Sequence, residues 1–319
     1  MAEAIHDAVL IHVGYHRTAS SWLQKYLFSH PKSGLRWIGK AKDDHPVRQL
    51  IMLRWSEFEP GAVRALFDPY LERVRGRGSV PVVSFERLSG HPCSGGYDSA
   101  VIAERLRAVF PEGRVLVVLR EQRAAIVSNY KRYVRAGGPA TLRDFVLPPS
   151  TNNLRVPLFD FRHFEYHHLI RRYRELFGPD RVLTLAYEQF VREPHSFVTA
   201  IAGFVGRALG PRLVRNLPYG TYEQETLSPV ALLAMRRLNH FVRSEVNPAP
   251  ALDLRRHRDL KHVAKSRALD ALVPNRLAER NEAALRRDAE ELVGDRYVES
   301  NRITAELTGL DLAGYGYAI

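Results

Sequence analysis

Gly14-Tyr15-His16-Arg17-Thr18-Ala19-Ser20-Ser21-Trp22-Leu23 follows an apolar run, Ala8 to Val13, and leads into a helix-like stretch from Trp22 to Phe28. A strand, a tight loop and a helix start are expected. The loop offers backbone N–H groups, the hydroxyls of Thr18, Ser20 and Ser21, and the fixed cation of Arg17. Gathered at the positive end of a helix dipole, such groups hold a phosphate. A phosphate-bearing ligand is therefore the first expectation. The same Ser and Thr would also serve a simple N-capped helix, which the loop taken alone leaves open.

The common nucleoside triphosphatase loop reads G-x-x-x-x-G-K-[ST], with its Lys on the terminal phosphates and its hydroxyl on magnesium. Here Ala19 stands where the second Gly would be and the Lys is missing; the cation sits inside the loop, at Arg17, ahead of the hydroxyls. A second segment adds to the first. Arg114-Val-Leu-Val-Val-Leu119 is a short, β-branched, apolar run of the kind a buried strand shows, and Arg120 stands at its carboxyl end. Ligands of open α/β sheets bind at such ends. Helical sequence follows from about Arg123 to Arg135, closed by Gly137-Gly138, and Ser128 falls roughly two turns into it. Arg120 and Ser128 can then flank one anion.

This ordered pair of motifs resembles the sulfotransferases that use 3′-phosphoadenosine 5′-phosphosulfate (PAPS), in particular their bacterial members. In that family a Lys followed by Thr-Gly-Thr-Thr-Trp-Leu, or a close variant, holds the 5′-phosphosulfate. The resemblance assigns that end of the co-substrate to His16, Arg17, Thr18, Ala19, Ser20, Ser21 and Trp22, and the 3′-phosphate to Arg120 and Ser128. Two separate anion pockets, one on each motif, would grip opposite ends of one nucleotide. The likeness extends to Arg181-Val-Leu-Thr-Leu-Ala-Tyr-Glu188-Gln-Phe190, to the helix end Ile201 to Gly206, and to Asn301 with Leu310 to Tyr317. It is thinnest over residues 31–75 and 207–275.

Sulfonate transfer to a hydroxyl or amine needs a group to take the acceptor's proton. Val80-Pro-Val-Val-Ser84-Phe85 reads as a strand ending at Glu86, and the family resemblance makes Glu86 the catalytic base, with His91 as the fallback. Arg17 stands where the family usually has Lys, beside the leaving phosphate. It supplies a catalytic charge and a planar fork, but its pKa is too high for it to donate a proton. No metal is expected. The resemblance implies a three-layer α/β/α fold around a central parallel sheet, like that of P-loop NTPases.

With 319 residues, 45% of them hydrophobic, the chain is read as a single domain, 1–319, with a proper core. Strand-like runs at about 8–13, 80–85, 114–119 and 181–186 alternate with helical patterns such as Ala100 to Phe110 and Phe161 to Phe177, which argues for a parallel sheet covered on both faces. Pro229 to Arg243 and Leu277 to Leu307 also read as helix. The start lacks the basic and apolar segments of a secretion signal, so a cytoplasmic protein is expected. The single cysteine, Cys93, has no disulfide partner and reads as a spectator thiol.

A net charge of +12 and basic clusters at Arg73 to Arg77 and Arg255 to Arg267 raise an alternative, a nucleic-acid-binding protein. The same charge would steer the anionic PAPS. A P-loop nucleotide kinase is weakened by the missing Gly-Lys-[Ser/Thr] and the lack of a magnesium carboxylate. A metal site on His163, Glu165, His167 and His168 is weakened by their spacing, which reads as a solvated helix face. The acceptor is not spelled out. Loops at 40–70, 135–165 and 215–260 would build its pocket, with Tyr97, His163, Tyr166 and Tyr222 as candidate lining groups, and the oligomeric state is equally unwritten.

Overall fold

Five short strands pair in parallel in the order β2-β3-β1-β4-β5: β1 (Leu10–Gly14), β2 (Leu35–Trp37), β3 (Val80–Ser84), β4 (Arg114–Leu119) and β5 (Val182–Ala186). The computed structural model describes residues 8–39, 45–148, 156–221, 229–251 and 275–319. Leu10 of β1 stands opposite both Val82 of β3 and Arg114 of β4, and Gly14 stands opposite Val118. The chain leaves β1 toward β2 on one side and leaves β4 toward β5 on the other. Connections that part in this way open a crevice at the carboxyl ends of the strands.

The strands read as unbroken apolar runs because both faces are covered. Ile11, Val13, Val83, Val115 and Val117 pack into one cluster with Phe67, Phe110, Tyr173 and Phe177. Those rings come from or adjoin the helices Pro60–Arg75, Ser99–Val109 and Tyr166–Phe177. Leu10, Val82, Leu116 and Val118 point the other way, onto Trp22, Leu23, Phe28, Phe197 and Ile201. Period-two alternation thus feeds two cores, and the three-layer α/β/α arrangement expected from the sequence is the one the chain builds.

Several boundaries differ. The edge strand β2 is three residues long, too short to show a periodicity, and was not anticipated. The first helix starts at Ser20 and widens into a π-helical turn, Leu23–Leu27, in which Phe28 N donates to Leu23 O at 2.7 Å. The helix expected over Phe161 to Phe177 is broken at Glu165 (φ −79°, ψ 76°) into a short turn, Phe161–Phe164, and the helix Tyr166–Phe177. Leu277 to Leu307 likewise divides into Asn275–Val293 and Val298–Thr308, with Gly294 in the left-handed region at φ 52° between them.

The break at Glu165 corrects the solvated-face reading of the histidines. His163 and His167 are both buried: the His163 ring lies 5.1 Å from that of Tyr15, and His167 Nδ1 is 2.8 Å from Ser300 Oγ. Only His168 is exposed, at 3.1 Å from Glu165. Tyr166 is also fully buried, so neither it nor His163 is an acceptor-pocket lining group, whereas Tyr97 is exposed. Tyr222 and the basic cluster Arg255 to Arg267 lie outside the described residues. Among the described residues no three His, Cys, Asp or Glu side chains could share a metal ion, and no helix is long and apolar enough to cross a membrane.

Candidate functional site

The loop after β1 is shaped by two close approaches. A Cβ on Gly14 would lie 2.5 Å from Ser20 Oγ and 3.0 Å from Thr18 Oγ1, so a side chain there would displace the Ser20 hydroxyl. Beyond it, Arg17 (φ 70°) and Ala19 (φ 62°) both adopt left-handed backbone, the only described non-glycine residues that do, with Thr18 at negative φ between them. Alternation of this kind turns successive N–H groups inward and forms an anion-binding concavity.

Left-handed backbone costs a residue with a Cβ roughly 1–2 kcal/mol, which glycine avoids. Ala19→Gly is therefore expected to leave stability unchanged or raise it by up to about 1 kcal/mol, after the added freedom of the unfolded chain is counted. Ala65→Gly, at an exposed position inside the helix Pro60–Arg75, should instead lose about 1 kcal/mol. Chemical denaturation of the two variants reads the difference; equal losses would mean that Ala19 carries no strain.

The two motifs read as separate pockets meet in one. Arg17 Nε donates to Ser128 Oγ at 3.1 Å, and Arg120 Nη1 donates to the Arg17 carbonyl at 2.9 Å. Arg120 is held in turn by Tyr166, whose hydroxyl donates to its carbonyl at 2.6 Å, and its guanidinium lies 4.8 Å from the centre of the Tyr187 ring. A single cavity of about 1260 Å³ is lined by Arg17, Ala19, Ser20, Ser21, Trp22, Glu86, Arg120 and Ser128. Contact between the loop and the end of β4 leaves no wall between the two motifs. Ser20 Oγ and Arg120 Nε are buried there without a hydrogen-bond partner, which is the state expected of groups awaiting an anion.

Two of the sequence candidates stay out of the cavity wall. Thr18 is fully buried and its hydroxyl is spent on the Tyr15 carbonyl at 2.6 Å; His16 is buried behind the loop. The sequence reading also missed part of the wall. Tyr187, Phe190 and Tyr219 form an apolar side, with the Trp22 indole stacked on Tyr219 at 5.4 Å and 21° and its Nε1 donating to Pro218 O at 3.0 Å. Tyr187, which directly follows β5, could have been found by its place at a strand's carboxyl end. Arg123 and Lys131 close another side, Lys131 paired with Glu282 at 2.7 Å on the helix Asn275–Val293. Nothing local marks that partner, which is 151 residues away.

Glu86 enters the same cavity from the turn after β3. Burial pushes its carboxyl pKa up, while Arg132 and Arg17 hold it back. His16 Nε2 is 3.9 Å from Glu86 Oε2, and neither ring nitrogen has a hydrogen-bond partner. Burial, reinforced by Arg132, holds the His16 ring well below its ordinary pKa, so it is neutral. His91 is otherwise engaged: its Nδ1 accepts from Cys93 N at 3.0 Å and shapes the turn there.

Residues 99–211 match the Sulfotransferase family model. The chain thus carries a segment similar to the sulfotransferase family. The matched segment carries Arg120 and Ser128, with β4 and β5 on either side of them, and leaves Arg17 and Glu86 outside it. No curated protein matches the sequence. Among solved structures, the chain is similar to a sulfotransferase from Alicyclobacillus acidocaldarius, at 20% identity and TM-score 0.47, over 77% of this chain and 96% of that one. It is similar as well to sulfotransferase STF9 from Mycobacterium avium (14%, TM-score 0.41, 83% and 76%). A third is the sulfotransferase domain of the Synechococcus PCC 7002 olefin synthase (16%, TM-score 0.40, 84% and 96%).

Proposed function

We propose that residues 1–319 form one enzyme domain that transfers the sulfonate of PAPS to a hydroxyl or amine of an acceptor. The observation that carries this reading is the single cavity in which Arg17, Ser20, Ser21, Arg120, Ser128 and Glu86 converge. Its volume of about 1260 Å³ leaves room for a nucleotide beside part of an acceptor. PAPS supplies an activated sulfonate whose leaving group is a phosphate.

In this reading the loop N–H groups with Ser20 and Ser21 hold the 5′ end, and Arg120 with Ser128 holds the 3′-phosphate. Trp22, Tyr187, Phe190 and Tyr219 offer the apolar surface that a purine ring would bury. Glu86 accepts the acceptor's proton as the new S–O or S–N bond forms, and Arg17 stabilises the charge left on the phosphate as the old S–O bond breaks. His16 backs Glu86 as a neutral dipole. The basic net charge steers the anionic co-substrate toward the cavity.

The test is calorimetry with adenosine 3′,5′-bisphosphate. The wild-type chain should bind it, and Arg120→Ala should weaken binding about 10- to 100-fold, since a charge-assisted contact to phosphate is worth about 1.5–3 kcal/mol. A wild-type chain with no affinity for the bisphosphate would end the reading.

A further inference from the structure

The basic cluster Arg73-Val-Arg-Gly-Arg77 divides between two surfaces. Arg75, two positions on from Arg73, turns to Glu112 at 3.6 Å. Arg73 lies one helical turn from Tyr70 on the helix Pro60–Arg75, with its guanidinium 5.4 Å from the centre of that ring. The turn after the helix adds Arg77, whose N–H returns to Val74 O at 3.1 Å.

Tyr70, Arg73 and Arg77 form one wall of a cavity of about 390 Å³, and Arg36 and Trp37 of the edge strand β2 form the other. Ser79, just before β3, adds a hydroxyl. Trp37 Nε1 donates to the Ser84 carbonyl at 3.3 Å, so the indole offers the cavity carbon surface alone. Arg36 gives one of its five N–H donors to Ser29 O at 3.3 Å. No carboxylate lines this cavity. Asp68 of the same helix is paired with Arg64 at 2.8 Å, and Glu72 is exposed outside the lining. Among the described residues none of the three arginines has an ion-pair partner, whereas Arg64, Arg75 and Arg87 each have one.

Three guanidinium groups around one small space repel each other until an anion separates them. A doubly charged oxyanion does so, and its oxygens suit planar donor forks. The Trp37 and Tyr70 rings add surface for a flat, apolar ring. The volume falls in the range of small-molecule clefts, about 300–1,000 Å³. A further strand is a poor occupant, because the outward N–H groups of β2 are already used, Leu35 N on Ser33 Oγ at 3.1 Å and Trp37 N on Phe28 O at 2.8 Å.

We propose that this cavity is a second binding site, for a small molecule that carries a phosphate monoester on a flat ring. No residue lines both it and the cavity that holds Arg17 and Arg120, so the inference goes beyond the sulfotransferase reading and does not depend on it.

The test is calorimetry on the full chain with phenyl phosphate, inorganic phosphate and phenol at about pH 7.5, where a phosphate monoester carries close to two charges. Phenyl phosphate should bind about tenfold or more tightly than either of the others. Arg73→Ala and Arg77→Ala should each weaken it about tenfold or more, and Arg77→Lys should lose less. Both arginines are exposed, so neither truncation should disturb folding. Tyr70→Leu should bring phenyl phosphate down toward inorganic phosphate. Arg120→Ala, in the other cavity, and Arg171→Ala, an exposed arginine elsewhere, should leave its affinity as in the wild type. Equal binding of the three probes, or an affinity that survives both Arg73→Ala and Arg77→Ala, would overturn the proposal. So would a preference lost only in Arg120→Ala, which places the probe in the other cavity. Tighter binding of a short DNA duplex, abolished by the same two truncations, would assign the cations to a polyanion and overturn it as well.

Discussion

Glu86→Gln is expected to lower kcat by about 10²- to 10⁴-fold while leaving affinity for adenosine 3′,5′-bisphosphate largely intact, since a positioned general base contributes in that range. Gln keeps the size and one acceptor oxygen of the carboxylate but takes no proton. The wild-type pH profile gives a second reading of the same group. The base works ionised, so turnover falls as pH drops through its pKa, and burial places that pKa above the ordinary carboxylate value. The acid limb of kcat should therefore lie higher than a free Glu would give. Arg17→Ala removes one of the two cations that hold the pKa back and should move the limb higher still. Loss of bisphosphate binding in Glu86→Gln equal to the loss of turnover would show that Glu86 holds the nucleotide and is not the base.

The second large effect concerns stability toward acid. His12, His16 and His163 are buried, and burial lowers all three pKa values, His12 to about 3 and His163 to about 4. His12 Nδ1 lies 2.7 Å from Ser84 Oγ, its cross-strand neighbour, and Nε2 has no partner. The unfolded chain takes up these protons near pH 6.5 and the folded chain does not. Stability is thus fully present above pH 6.5 and is lost as pH falls toward the folded values. Each histidine contributes a slope of about 1.4 kcal/mol per pH unit, so the three together approach roughly 4 kcal/mol per unit. Set against a total stability of about 5–15 kcal/mol, that predicts a steep fall in Tm between pH 6.5 and about 5. Glu86 and Glu188, whose pKa values are raised, act with the opposite sign and soften the lower part of the curve. His12→Gln should flatten the slope by roughly a third. A Tm that stays level from pH 7 to 5 would show that these rings are protonated in the folded protein.

Much of the fold was legible because its signals are local. Ala8 to Val13, Val80 to Phe85 and Arg114 to Leu119 are apolar on both pleat faces, which only a doubly covered strand requires, and the observed strands fall within one or two residues of them. Gly137 and Gly138 closed their helix as expected, their N–H groups returning to Val134 O and Tyr133 O at 3.0 Å. Where local signals were short or ambiguous the reading erred. Three residues of β2 carry no period, and the pause at Glu165 lies inside a run of helix-compatible residues.

The residue types of the proposed chemistry were written in the chain: a cation and hydroxyls between strand and helix, an arginine at the end of β4, a glutamate after β3. Those follow from chain order, since a strand's carboxyl end and a helix's first turn are local features with a known direction. Tertiary structure alone decided that Arg17 would reach across 111 residues to Ser128 and bring the two motifs into one cavity. It also turned Thr18 and His16 inward, and brought Tyr219 and Glu282 to the wall. Side-chain direction and burial depend on which distant surfaces pack together, and a sequence records those surfaces without recording their meeting.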